Sequence, residues 1–133
     1  MKYLLDTNIC VHFLRGKYGL IEKFEQLGTK NFAVSEITLA ELVFGAENSK
    51  KPQKNLDLIE VFANQVVILP IFSAIYLYGK EKARLRSIGL QISDVDLLIG
   101  CTAIEKDLIM VTENLKEFQR IIWPDPEYLF GFC

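Results

Sequence analysis

Histidine is nearly missing from this chain: His12 stands alone, beside three cysteines (Cys10, Cys101 and Cys133) at unrelated spacings. A zinc site built from His and Cys needs more donors at closer spacing. One His and no G-x-S-x-G turn leave Ser–His–Asp and Cys–His catalysis without support, and His12 reads as an ordinary helix residue. The scattered cysteines read as two core thiols and one tail thiol in a reducing cytoplasm, not as a disulfide framework. Long apolar runs are missing too. The longest, Val66 to Phe72, has seven residues and contains Pro70, whereas about 20 are needed to span a bilayer. Asp6 interrupts the apolar start, so no secretory signal is read. Nor is there an excess of basic charge: 15 Lys and Arg face 17 Asp and Glu, a net charge of −2. Taken alone, this argues against broad nucleic-acid binding, which relies on neutralising phosphates. The objection weakens if four of the carboxylates sit together around metal ions, because the remainder of the chain is then net basic.

What is present is an ordinary globular balance, with 133 residues, 50% of them hydrophobic and 24% charged. That length reads as one domain over residues 1–133. Lys2 to Leu5 reads as a buried strand, Ile9 to Leu14 and Leu20 to Leu27 as helices, and Gly16, Gly19 and Gly28 as breaks. A second strand, Phe32 to Val34, stops at Ser35 and leads into a helix over Ile37 to Asn48. Ser49 to Lys54 reads as a polar connection. Leu56, Ile59, Phe62 and Ala63 recur at helical spacing. Val66 to Leu69 is a third strand, followed by a long helix from Phe72 to Ser87 closed by Gly89. Ser93 to Asp107 is apolar nearly all round and must be buried. Leu108 to Val111 is a fourth strand, Leu115 to Phe118 a helical turn, and Ile121 to Trp123 a short last strand. From Pro124 the tail reads as irregular. Short apolar strands alternating with helices predict a three-layer α/β/α fold around a mainly parallel sheet.

In such sheets ligands bind beyond the carboxyl ends of the strands. Asp6 ends the first strand, Asn114 and Glu117 follow the fourth, Glu41 lies in the helix after the second, and Asp96 sits in the first turn of the buried helix. Four acids from separate parts of the chain thus meet at one edge. Glu41 has Ile37, Thr38, Phe44 and Gly45 as same-face neighbours, which reads as an inward apolar face where a lone carboxylate is costly. Asp96 shares a face with Ile99, Gly100 and Ala103, and the helix N-terminus favours its charge. Each acid also has a plainer reading. Asp6 can cap the next helix, Ser93, Asp94 and Asp96 can form a capping box, and Glu117 can be a solvated residue. Hard carboxylate oxygens without His or Cys suit Mg²⁺ or Mn²⁺. Such ions activate water and clamp phosphates, so the residues point to metal-assisted phosphodiester hydrolysis. The spacing does not identify RNA as the substrate.

Four stretches in order carry a family resemblance: Tyr3-Leu4-Leu5-Asp6-Thr7-Asn8-Ile9, Ser35 to Ala46 around Glu41, Ser93-Asp94-Val95-Asp96-Leu97-Leu98-Ile99-Gly100, and Leu108 to Phe118 with Thr112, Asn114 and Glu117. Over residues 2 to about 122 the chain resembles the PIN-domain family, and within it the VapC-type toxins of bacterial toxin–antitoxin pairs. The resemblance implies a Mg²⁺- or Mn²⁺-dependent endoribonuclease that inhibits translation by cutting structured RNA such as tRNA. Carried over, Asp6, Glu41, Asp96 and Glu117 are the catalytic, metal-binding acids. Many PIN domains have Asp where Asn114 stands, so Asn114 becomes a neutral ligand or water-positioning group. Thr7, Asn8 and Thr112 orient the carboxylates, and Asp94 serves mainly as a cap. The implied partners are a VapB-type antitoxin, an RNA substrate and a second copy in a homodimer, with DNA reached only through the antitoxin and no membrane. The tail beyond Trp123 departs from the expected ending; its aromatics read equally as partner contact or core cover.

Two other readings compete. A degenerate PIN module that binds RNA or protein without cutting is opposed by the intact acids. A signalling receiver domain needs a phosphoacceptor Asp after the third strand, where Leu69-Pro70 stands. Lys50, Lys51 and Lys54, and Lys80, Lys82, Arg84 and Arg86, read as solvated surface or as phosphate steering.

Overall fold

In a computed structural model that describes residues 1–132, five short strands form one all-parallel sheet: β1 (Tyr3–Leu5), β2 (Phe32–Ser35), β3 (Val67–Leu69), β4 (Ile109–Thr112) and β5 (Leu129–Gly131), in the order β3-β2-β1-β4-β5. Seven helices connect them: α1 (Thr7–Leu14), α2 (Leu20–Leu27), α3 (Glu36–Glu47), α4 (Pro52–Gln65), α5 (Ile75–Ser87), α6 (Asp94–Glu105) and α7 (Leu115–Phe118). Cys133 lies outside the described residues. Cys10 and Cys101 are buried free thiols, and burial pushes the Cys101 thiol up to about 12.

The strand period of two sorts the core into two layers. Leu4, Ala33, Leu69 and Met110 pack on one face with Leu85 of α5, Leu97, Ile99, Cys101 and Ala103 of α6, and Phe118 of α7. Leu5, Phe32 and Val34 pack on the other with Ile9 and Cys10 of α1, Phe24 of α2, Leu42 and Ala46 of α3, and Ile59 and Phe62 of α4. Both faces are covered, as the predicted α/β/α arrangement requires. The strand order reverses between β1 and β4, so the ends of these two strands flank the crevice where a ligand enters an open parallel sheet. Among the described residues no helix is long and apolar enough to cross a membrane.

The structure corrects the predicted ending. Ile121 to Trp123 is not a strand. Ile121 is buried, Ile122 N donates to Glu81 Oε2 (3.1 Å), and Trp123 Nε1 donates to the Phe118 carbonyl (2.9 Å). The apolar run marks a plug beneath α6, not a pleated segment. The last strand is β5, inside the tail read as irregular. It follows a 3₁₀ turn at Pro126–Tyr128 capped by Asp125 and pairs Leu129, Phe130 and Gly131 with Met110, Val111 and Thr112. Trp123 and Leu129 pack on the core, so these tail side chains are core cover, while Phe130 is exposed. The helix predicted from Phe72 starts as a 3₁₀ turn (Phe72–Ala74) before α5, and Pro52 opens α4 earlier than the polar reading placed it.

Gly100 lets the chain after α7 approach α6. A Cβ at position 100 would stand 2.6 Å from Ile121 Cδ1 and 3.4 Å from Phe118 Cε1. Gly100→Ala is therefore expected to destabilise the fold by about 1–3 kcal/mol through overpacking, less the ~1 kcal/mol that Ala gains in a helix. Adding Ile121→Val, which removes Cδ1, should recover part of the loss. Urea unfolding of both single variants and the double variant checks this, and strictly additive effects would contradict it.

Candidate active site

The acids predicted to meet do gather at the reversal point, and the carboxylates of Asp6, Glu41 and Glu117 are each held by a neighbour. Asp6 follows β1, is 4% exposed, and caps α1. Its Oδ1 accepts from Thr7 N (2.8 Å) and its Oδ2 accepts from Thr112 Oγ1 (2.7 Å) at the end of β4. Thr112 Oγ1 in turn accepts from Asn114 N (2.9 Å). The capping and site readings of Asp6 are thus compatible: two bonds leave lone pairs free on the carboxylate. Burial raises the Asp6 pKa above the ordinary carboxylate range despite these bonds, and the nearby charges of Glu41 and Glu113 raise it further.

Thr7 serves two acids at once. Its amide binds Asp6, and its hydroxyl donates to Glu41 Oε1 (2.6 Å). Thr38 Oγ1, fully buried in α3, lies 3.1 Å from the Thr7 hydroxyl. The sequence reading missed Thr38. Its signal was a hydroxyl on the helix face of Glu41, three residues before it. The same reading placed Glu41 on an inward apolar face, and this is corrected. Glu41 is exposed, as are Gly45 and Phe44, which is 69% exposed. The face looks into the crevice mouth, so desolvation does not explain Glu41; its link to Asp6 through Thr7 does.

Asp96 is half-buried in the first turn of α6, where Ser93 Oγ accepts from its amide (3.1 Å). Its pKa is raised to about 6, first by burial, then by the charge of Asp6, with Glu41 and Glu117 adding to it. Four carboxylates therefore share one field. Glu117 of α7 is paired with Arg120 (Oε2 to Nη1, 2.8 Å). Asn114 precedes α7 without capping it through its side chain.

Other assigned residues stand apart. Asp94 accepts from Lys82 Nζ (2.9 Å) and from Tyr78 OH (2.9 Å), with its pKa lowered by Lys82 and then Tyr78. Ser93, not Asp94, supplies the cap of α6. Asn8 is exposed on α1, and Thr7 rather than Asn8 orients the carboxylates. His12 is more than a helix residue: its Nε2 lies 2.8 Å from Glu113 Oε2, which ties α1 to the turn after β4. Within the second basic cluster, Arg84 is bound to buried Glu81 and Lys82 to Asp94, so neither is a free phosphate-steering charge.

The donor set is carboxylate oxygen, which suits a hard divalent cation. The raised pKa values of Asp6 and Asp96 mark uncompensated negative charge that such a cation would relieve. The cage is not closed, however. Among the described residues no three His, Cys, Asp or Glu side chains converge to hold one ion. Their oxygens lean instead on Thr7, Thr112 and Arg120.

The PIN domain family profile matches residues 3–123. Among curated proteins the chain is 34% identical over 122 residues to the tRNA(fMet)-specific endonuclease VapC of Shigella flexneri, covering 91% of this chain and 92% of that protein. It is 39% identical over 125 residues to ribonuclease VapC2 of Rickettsia felis, covering 91% and 92%. Among solved structures it resembles the DNA-bound VapBC crystal structure from Salmonella typhimurium, with a TM-score of 0.88, 32% identity, and coverage of 100% and 99%.

The raised Asp96 carboxyl sets a pH dependence. A folded-state pKa raised from 3.8 to about 6 means that the folded chain holds this proton more tightly than the unfolded one. The resulting stability is fully present below pH ~3.8 and is lost as pH rises through about 6. In chelator, Asp96→Asn is expected to gain roughly 1–2 kcal/mol relative to wild type between pH 4 and pH 7, since one pKa unit is about 1.4 kcal/mol and partial exposure screens it. Denaturation curves at both pH values decide this; an unchanged difference would show that Asp96 is not under strain.

Proposed function

The chain belongs to the PIN-domain family, among the VapC ribonucleases, and from that premise we propose that it is a divalent-metal-dependent endoribonuclease and the toxin of a toxin–antitoxin pair. The observation that carries the reading is the gathering of Asp6, Glu41, Asp96 and Glu117 at the reversal point of the sheet, with Thr7 joining Asp6 to Glu41 and Thr112 joining Asp6 to β4. These four residues would hold Mg²⁺ or Mn²⁺, with Asn114 as a neutral neighbour. When bound, the ion supplies positive charge that acidifies water and stabilises the charge developing on a phosphate. The chain's own residues do the rest. Thr7 and Thr112 fix the two Asp6 oxygens, Thr7 also fixes Glu41, and Asp96 presents a strained negative charge that a cation would relieve. RNA phosphates supply the substrate charge, and structured RNA such as tRNA is the substrate class we assign, in line with the name of the Shigella relative.

The partner is an antitoxin, in line with the VapBC complexes among the structural neighbours, and DNA is reached through it. A basic antitoxin segment drawn to the same carboxylates would compete with the cation. A homodimer is supported by the exposed Phe44, Phe72 and Tyr76. A reducing cytoplasm fits the buried free thiols Cys10 and Cys101. On this reading residues 1–133 form one domain.

The test is cleavage of pooled tRNA by antitoxin-free protein with Mn²⁺, with Mg²⁺ and with chelator, beside Asp96→Asn. Cleavage should require the metal and fall at least about a hundredfold in the variant, the scale of losing one charged contact to a transition state. Cleavage that survives in chelator would refute the metal requirement. Metal-independent RNA binding without cleavage would favour a binding-only module.

A further inference from the structure

Glu117 and Asp96 are carried by different segments, and one side chain touches both segments. Arg120 Nη1 donates to Glu117 Oε2 (2.8 Å) and also to the carbonyl of Gln91, in the turn that leads into the Ser93 cap of α6. The root of this side chain is fixed from below. The Arg120 carbonyl accepts from Arg84 Nη2 (2.7 Å), and Arg84 grips Glu81 through two bonds (Nε to Oε1, 3.0 Å; Nη2 to Oε2, 2.9 Å). Glu81 is 5% exposed and also accepts from Ile122 N. The backbone at Arg120 and just after it is thus pinned to the Glu81–Arg84 ion pair, whose carboxylate is buried, while the Arg120 guanidinium stands at the rim of the acidic cluster, 27% exposed.

Arg120 is the counterion of Glu117 in the cation-free protein. A cation that takes Glu117 as a ligand must break that pair, because a carboxylate oxygen engaged by a guanidinium donor is a poorer ligand. A freed guanidinium with a fixed root then faces whatever anion lies at the rim, and a planar fork matches a phosphate. We infer that Arg120 is a partner-switching residue: it holds Glu117 until the cation arrives and then binds a phosphate of the RNA next to the cleavage site. The inference rests on the metal-dependent reading above.

Three measurements separate the two ideas. In wild-type protein carrying labelled arginine, NMR resonances of the Arg120 guanidinium should shift on addition of Mg²⁺, with the midpoint of Mg²⁺ binding. This arm needs no variant and holds even if substitutions at 120 fail to fold. By calorimetry, Arg120→Gln should bind Mn²⁺ tighter by about two- to fivefold, the range expected for removing a partly exposed ion pair. That gain should vanish in a Glu117→Gln background. At saturating Mn²⁺, Arg120→Gln should raise KM for pooled tRNA more than it lowers kcat, and reduce the salt slope of log kcat/KM by about one. Resonances that stay still while Mg²⁺ binds, or a folded Arg120→Gln with unchanged or weaker Mn²⁺ affinity, would overturn the switch and leave the metal site standing. A wild-type protein that binds neither ion would overturn the metal reading itself, and this inference with it.

Discussion

Like charge at close quarters is the constraint around which this end of the molecule is arranged. Asp6, Glu41 and Glu117 lie near enough for their charges to act on Asp96, and three of the four acids are buried or half-buried, Glu41 alone being exposed. Carboxylates in that position either take up protons or find positive partners. The chain answers with small donors. Thr7 supplies an amide and a hydroxyl, Thr112 a hydroxyl, and Arg120 a full charge at the rim. None of these cancels the field; Asp96 remains shifted to about 6. A cluster kept at a cost in stability is the mark of a functional site, and the proposed cation is the ligand whose charge would relieve it.

The scaffold makes the gathering possible. An all-parallel sheet sends every strand end to the same edge, and the reversal between β1 and β4 opens a crevice there. Asp6 and Thr112 bond across that crevice because both strand ends arrive at one level, in the register Leu5 to Val111. The α7 region is held differently. The pair of buried Glu81 with partly exposed Arg84 fixes the backbone at Arg120 and Ile122, and Gly100 lets Ile121 seat against α6. An ion pair with a buried carboxylate is a weak source of net stability but a strict geometric demand, since loss of the arginine leaves Glu81 unpaired in its buried position. Its role here is placement: it sets where the chain turns after Glu117.

The sequence made the strands of the inner sheet legible, because fully buried parallel strands are short apolar runs bounded by polar residues. Asp6 and Asp96 were legible because each directly follows an element boundary. The inward placement read for Glu41 fails. Helical spacing showed apolar neighbours, but periodicity does not say whether an apolar face is covered, and Phe44 stands in the open. The strand β5 was illegible because three residues between a proline-rich turn and the chain end carry no alternation to read. Arg84 was hidden in a run of charges from Lys80 to Arg86, where nothing separates a buried pair from a solvated one. Thr38 and Arg120 act through partners 31 and 3 residues away, and the first of these distances is invisible without the fold.

The four acids differ in how firmly they are held, and this orders their behaviour on the proposed reading. Both oxygens of Asp6 are fixed in a buried setting, so it pays little further entropy on binding a cation. Asp96 is fixed through its helix and carries an unfavourable charge, so it gains most from neutralisation. Glu41 is exposed, with one oxygen held. Glu117 must exchange a partner. On this reading Asp6 and Asp96 would offer a cation the most strongly held and most charge-strained oxygens, with Glu41 and Glu117 as the more exposed or already paired members of the set. The open arrangement of the ligand set is then the expected resting form of a site whose last ligand is already neutralised by an arginine. On this reading a cation that takes Glu117 as a ligand must outcompete the Arg120 pair.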